Sequence, residues 1–108
     1  MTVNDLCKSD SFTPVVLAEG DREIEGVYIG DLLSWVMGRA KSGDAWITIM
    51  SNVNTIAVAT LADTACIILA EGVSLDEGVK ETANAKGINV ISTSLSAYGA
   101  ALELSRVL

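Results

Sequence analysis

Between Asp44 and Thr93 the chain alternates short apolar runs with polar corners: AWITIM, the corner Ser51-Asn52-Val53-Asn54, ACIILAEG, the segment VSLDEGVKETANAKG, then INVISTS. Brief runs rich in Ile and Val and bounded by turn signals are the pattern of strands buried on both faces. The segments between them are long enough for the helical crossovers that parallel neighbours require. This stretch predicts an α/β fold: a single compact domain over residues 1–108, with a mainly parallel sheet of four to five strands flanked by helices.

The flanking chain fits around that centre. Thr2 and Asp5 have capping-box spacing, which predicts a short helix with Val3 and Leu6 on one face. Residues 12–18 read as a strand, and Pro14 places it at an edge or a strand start. Ile24 to Ile29 reads as a second strand, free to form a hairpin with the first across Glu19-Gly20-Asp21. Gly30-Asp31 is expected to open a helix carrying Leu32, Leu33, Val36, Met37 and Ala40, with Gly43 as its stop. Trp35 lies off that stripe, one turn before Arg39, as a rim residue or part of a contact surface.

Thr55 to Ala62 follows neither period cleanly. A strand there would leave too little chain for a parallel crossover to residues 65–69, so a helix is expected. Ser74 and Glu77 form a second capping box, ahead of Leu75, Val79 and Ala83, with Gly87 as the stop. Ile88 to Ile91 is a short strand, and Ser92-Thr93-Ser94 is expected to cap a last helix over residues 95–107. That helix has two apolar stripes, Leu95–Tyr98–Leu102 and Ala97–Ala101–Leu104–Leu108. A surface helix needs one. The second predicts a homodimer contact or a helix wedged deeper into its own fold.

Charge and composition exclude several functions. Seven basic residues stand against fourteen acidic ones in 108, a net charge of −7. The basic residues are scattered, which disfavours a nucleic-acid partner. No apolar run reaches the roughly 18 residues of a membrane span. The N-terminus, with Asp5, Cys7 and Lys8, does not read as a signal peptide, so a cytoplasmic location is expected. Cys66 lies in an apolar run and reads as a small buried side chain, not half of a disulfide with Cys7.

Chemistry is hard to find. There is no histidine, hence neither the commonest general base nor the commonest metal ligand. Gly38 to Gly43 has the glycine spacing of a P-loop, but Asp44-Ala45 stands where that loop needs Lys and then Ser or Thr. The acidic pairs Asp76-Glu77 and Glu23/Glu25 read as a helix start and a solvated strand face. No catalytic residue, metal ligand or cofactor is expected. What remains is position, because parallel sheets bind ligands outside the carboxyl ends of their strands. Those ends offer Ser51, Asn52, Asn54, Glu71, Gly72, Ser92, Thr93 and Ser94, whose hydroxyls, amides and helix N-termini suit a phosphate or other small anion. The alternative is that they only cap the helices that follow.

The order GVYIGDLL, GDAWITIM, ACIILAEGV, a short capped helix and GINVISTSLSAYGAALEL resembles the DRTGG domain from about Ile24 to the end. The five letters of that name are absent. Asp21-Arg22 is followed by Glu-Ile, and Ala70-Glu71-Gly72-Val73 stands where a glycine pair is expected. The resemblance implies a compact regulatory or dimerising module, similar to the non-catalytic N-terminal part of HPr kinase. The resulting expectation is a non-catalytic regulatory module, homodimeric through its C-terminal helix, binding a small anionic ligand (nucleotide or phosphate-like) or a partner protein. The rivals are an enzyme of phosphoryl or acyl transfer and a structural adaptor without a ligand.

Overall fold

The apolar runs Asp44–Thr48, Cys66–Leu69 and Val90–Ser92 form the middle of a five-stranded sheet in the computed structural model, which describes residues 1–108. In chain order the elements are α1 (Val3–Leu6), β1 (Thr13–Val16), β2 (Gly26–Ile29), α2 (Leu33–Arg39), β3 (Asp44–Thr48), α3 (Val53–Ala62), β4 (Cys66–Leu69), α4 (Glu77–Ala85), β5 (Val90–Ser92) and α5 (Ala97–Val107). The sheet order is β1-β5-β4-β3-β2. Strands β2 to β5 are mutually parallel, and β1 closes one edge antiparallel to β5.

Period-two alternation divides each central strand between two cores. Ala45, Ile47, Cys66, Ile68 and Ile91 meet Val3 and Leu6 of α1, Phe12, and Ala100 and Leu104 of α5. Trp46, Ile67, Leu69 and Val90 meet Val36 of α2, Ile56 and Ala59 of α3, and Leu75 and Ala83 on the α4 side. Because β2 to β5 follow one another across the sheet, right-handed crossovers place α2, α3 and α4 on one face. The ends of the chain, α1 and α5, cover the other. The fold is therefore α/β with both faces of its parallel sheet occupied, and residues 55–62 are helical as the crossover length requires.

Several local expectations give way to long-range contacts. β1 and β2 do not form a hairpin; they lie at opposite edges of the sheet. The chain between them runs past α1, where Val3 N–H donates to Arg22 O (3.0 Å) and Ile24 N–H to Met1 O (2.8 Å). α2 begins at Leu33 instead of Gly30, because the residues before it are tied to β3. Trp46 Nε1–H donates to Gly30 O at 2.8 Å, and the Asp31 carboxylate accepts from Thr48 Oγ1 (2.8 Å) and Ile49 N–H (3.0 Å). α2 ends at Arg39, and Gly43 serves the next turn at φ +85°, where a Cβ would collide with the Glu25 carboxylate.

The second capping box does not form. Leu75 is drawn into the core, and α4 starts at Glu77 with Asp76 as an N-cap that makes no side-chain bond. α5 is capped by Ser96, whose Oγ accepts from Gly99 N–H at 3.1 Å. Thr93 Oγ1 instead accepts from Leu95 N–H, bracing the turn before it. The two stripes of α5 also separate. Leu104 is fully buried against the sheet with Ala97 and Ala101 beside it, whereas Tyr98 and Leu102 face outward, 73% and 42% exposed; at the two ends the stripes cross over, Leu95 packing on the core and Leu108 lying exposed.

Candidate functional site

Parallel pairing brings the carboxyl ends of β2, β3, β4 and β5 to one edge, closed by residues 30–32, 49–52, 70–76 and 93–96. After β4 the chain turns toward the α4 face, and after β5 toward the α5 face. Loops that diverge in this way leave the crevice where open α/β sheets hold ligands. Here the backbone stitches it closed. Glu71 N–H donates to Leu95 O (2.8 Å), Gly72 N–H to Thr93 O (2.9 Å) and Thr93 N–H to Leu69 O (3.0 Å). Glu71, Gly72 and Thr93 are thus brought together, with Thr93 buried and Ser92 and Ser94 on either side of it.

Ser51, Asn52 and Asn54 occupy the neighbouring corner, between β3 and α3. Asn52 caps that helix: its Oδ1 accepts from Asn54 N–H (2.9 Å) and Thr55 N–H (3.2 Å). Asn54 lies in the first turn with its side chain exposed. Thr55, one residue on, is buried, and its Oγ1 has no hydrogen-bond partner.

Glu71 and Gly72 are consecutive left-handed residues, at φ +58° and +71°. Glycine enters that region without steric cost, and other residues pay for it. This is the conformational reason a glycine pair belongs here, and Glu71 holds the first position against its own preference.

The electrostatics of this edge are one-sided. Its four connecting loops carry Asp31, Glu71 and Asp76 and no Lys, Arg or His. The Asp31 carboxylate is taken up by Thr48 and Ile49, while Glu71 and Asp76 stand exposed. The N-terminal amides of α3 and α5 are partly used by Asn52 and Ser96, and α4 opens behind Asp76 and Glu77. The two surface depressions of the molecule lie elsewhere. One of about 90 Å³ sits between α1 and α5, lined by Met1, Leu6, Phe12 and Val107. The other, of about 270 Å³, sits beside α3 and is lined by Ala57, Thr60, Leu61 and Lys86.

Groups that could do chemistry are sparse. No set of three or more His, Cys, Asp or Glu side chains is grouped to hold a metal. Cys66 is fully buried, and burial pushes its thiol far above the ordinary range. Cys7 is raised by the same cause, so neither is an activated nucleophile. No helix is long and apolar enough to cross a membrane.

The apolar surface is the feature sequence reasoning saw only in part. Val27 and Ile29 of the edge strand β2 pair in register with Ala45 and Ile47, which face α5. Val27 and Ile29 therefore point to the α5 side, yet they are 37% and 49% exposed. α5 covers the middle of the sheet and leaves β2 half-exposed. The signal was present in the alternation of residues 26–29, but only the strand order reveals that this edge is left half-exposed.

A family model described as the DRTGG domain matches residues 15–107. No curated protein matches the chain. Among solved structures, one similar to this chain is the crystal structure of the CBS and DRTGG domains of the regulatory region of Clostridium perfringens pyrophosphatase, complexed with its activator diadenosine tetraphosphate. The TM-score is 0.73 at 16% identity, over 94% of this chain and 44% of that one. At that identity the likeness is one of fold, and this chain spans under half the length of its neighbour.

Proposed function

The chain belongs to the DRTGG domain family, and from that premise we propose that it is a non-catalytic regulatory module of the cytoplasm that works by association, as a homodimer. One observation carries this reading: the outward stripe of α5 (Tyr98 and Leu102) lies on the same side of the sheet as the half-exposed face of β2 (Val27 and Ile29). Parallel sheets are stable with both faces covered. In a two-fold pair, the spare helix face of each copy can cover the strand the other leaves half-exposed. A stable dimer hides roughly 800 Å² per partner, on the order of one-seventh of the 5473 Å² exposed here. The absence of an activated nucleophile, a histidine or a metal-donor cluster supports regulation over phosphoryl or acyl transfer.

Light scattering on the wild type and on a Tyr98→Glu/Leu102→Glu variant tests it. A dimer that becomes a monomer of unchanged circular dichroism is expected. A wild type that is monomeric at every concentration tried rejects the reading. Leu104→Glu cannot serve, because that side chain is wholly internal.

A second reading is favoured by the unpartnered hydroxyl of buried Thr55 at the β3–α3 corner and by the nucleotide activator bound to the regulatory region of the clostridial pyrophosphatase. In it a small anionic ligand, nucleotide or phosphate-like, sits on the strand-end loops, touching Ser51, Asn52, Asn54, Glu71, Gly72, Ser92, Thr93 and Ser94. The acidic character of this edge requires main-chain amides to supply the attraction. A thermal-shift screen with diadenosine polyphosphates, ATP and inorganic phosphate tests it. A rise in melting temperature that is lost in Asn54→Ala or Thr93→Ala supports this reading, and no rise with any of them rejects it.

A further inference from the structure

We propose that the outer ridge of α2 (Leu32, Trp35 and Arg39, continued by Lys41) docks an acidic segment of a partner protein that carries an apolar anchor. The proposal is independent of the dimer described above and concerns the opposite face of the sheet. α2 holds to the core through Val36, fully buried, with Leu33 packed beside it. Leu32 and Trp35 take no part in that packing and are 62% and 56% exposed. Trp35 and Arg39, four residues apart, share one row of α2, and Leu32 precedes that row as the extended N-cap of the helix. The Arg39 guanidinium lies 3.9 Å from the centre of the Trp35 ring, stacked over its face.

Charge identifies the occupant. Lys8, Arg22, Lys80 and Arg106 are each paired with an acid of this chain at 3.0–3.4 Å. Of the three cations without an ion pair, Lys86 stands apart beside α3, whereas Arg39 and Lys41 are two residues apart and exposed. The nearest acid in sequence, Asp44, uses its carboxylate on the Lys41 backbone N–H at 2.8 Å. On a molecule of net charge −7, these two cations end an apolar ridge without an ion pair, although the Asp44 and Glu25 carboxylates lie against the turn that follows. Trp and Arg are the side chains that dominate binding energy at protein interfaces. A convex ridge offers no cavity for a small molecule, but it suits a segment whose apolar residue lies between Leu32 and Trp35 and whose carboxylates reach Arg39 and Lys41. Such charge pairs fix register and suppress wrong partners.

The test is selection of a random peptide library on phage against the full chain, followed by titration of the selected peptides. Trp46 is fully buried and Trp35 is not, so a change in tryptophan emission on binding reports on the ridge. Selected peptides should be enriched in Asp and Glu next to Leu or Phe. They should lose about tenfold or more in affinity to Arg39→Glu/Lys41→Glu, and the emission change should vanish in Trp35→Ala. Recovery of no peptide, of peptides without acidic enrichment, or of peptides that bind the double variant equally well overturns the proposal. If the double variant instead dissociates a wild-type dimer, the ridge is a self-contact and the proposal also falls. Both variants change exposed side chains, so their melting temperatures should stay near that of the wild type.

Discussion

The side-chain amide of Asn89 reads both polar groups of the Glu19 peptide: its Oδ1 accepts from Glu19 N–H at 2.8 Å, and its Nδ2 donates to Glu19 O at 2.7 Å. The same Nδ2 donates to Ala65 O at 3.0 Å. One buried side chain thus acts as a missing strand residue, joining the segment after β1 to the start of β4. Asn89→Ala would leave Glu19 N–H and Ala65 O without partners beside a side chain that is 2% exposed, while Glu19 O keeps its bond from Arg22 N–H at 3.1 Å. A loss of roughly 2–4 kcal/mol is expected, read as a lower urea midpoint at an unchanged slope. Asn89→Asp should fail comparably, because a carboxylate accepts but cannot donate. Equal stability of the aspartate variant would show that the donated bonds contribute nothing.

Glu71 is the second test of backbone over side chain. At φ +58°, Glu71→Gly relieves steric strain while adding freedom to the unfolded chain. These nearly cancel, so stability should equal or slightly exceed that of the wild type. Glu71→Val should lose about 1–2 kcal/mol, since a β-branched residue resists the left-handed region. A loss beyond about 1 kcal/mol in the glycine variant would mean that the Glu71 side chain itself holds the loop.

Acid should weaken the fold through two aspartates. Asp63 is held below its ordinary value of 3.8 by the Ser42 hydroxyl and then by Arg22. Asp5 is held below it by the Thr2 backbone N–H, then by the Thr2 hydroxyl and Lys8. A lowered folded-state value means the native state binds the ionised form better. That contribution is complete above the unfolded value and disappears as pH falls through the folded one. Asp63 is largely exposed, so solvent screening keeps its share small. The melting temperature should fall between about pH 5 and 3, less steeply in Asp63→Asn. An identical slope in the variant would remove Asp63 from the account.

The two thiols should report on opening. Burial raises both, Cys66 far more than Cys7, and the thiolate is the reactive form. In native protein at neutral pH, a maleimide should modify Cys7 slowly and leave Cys66 untouched until denaturant is added. Rapid labelling of both would mean that the core around β4 opens readily.

Periodicity and turn chemistry by themselves determined that this chain is an α/β domain, because strand runs, crossover lengths and most helix stops are local properties. AWITIM, CIIL and NVIS read as buried strands, and the segment 55–62, whose own pattern fits neither period, reads as a helix because the next strand needs a crossover to lie parallel. The polar residues at the strand ends could likewise be located from the sequence, since Ser, Thr and Asn collect where strands give way to helices. Tertiary structure decided what those residues do. Asn52 caps α3, but Ser96 displaces Ser94 as the cap of α5, and Asp31 leaves its expected helix start to bind Thr48. It also decided that β1 and β2 lie at opposite edges, that Asn89 binds Glu19 seventy residues away, and that Val27 and Ile29 stay half-exposed. Each of these depends on which distant segment arrives beside a residue. No window of neighbouring letters carries that information, because the energy lies in contacts that form only when the sheet is assembled.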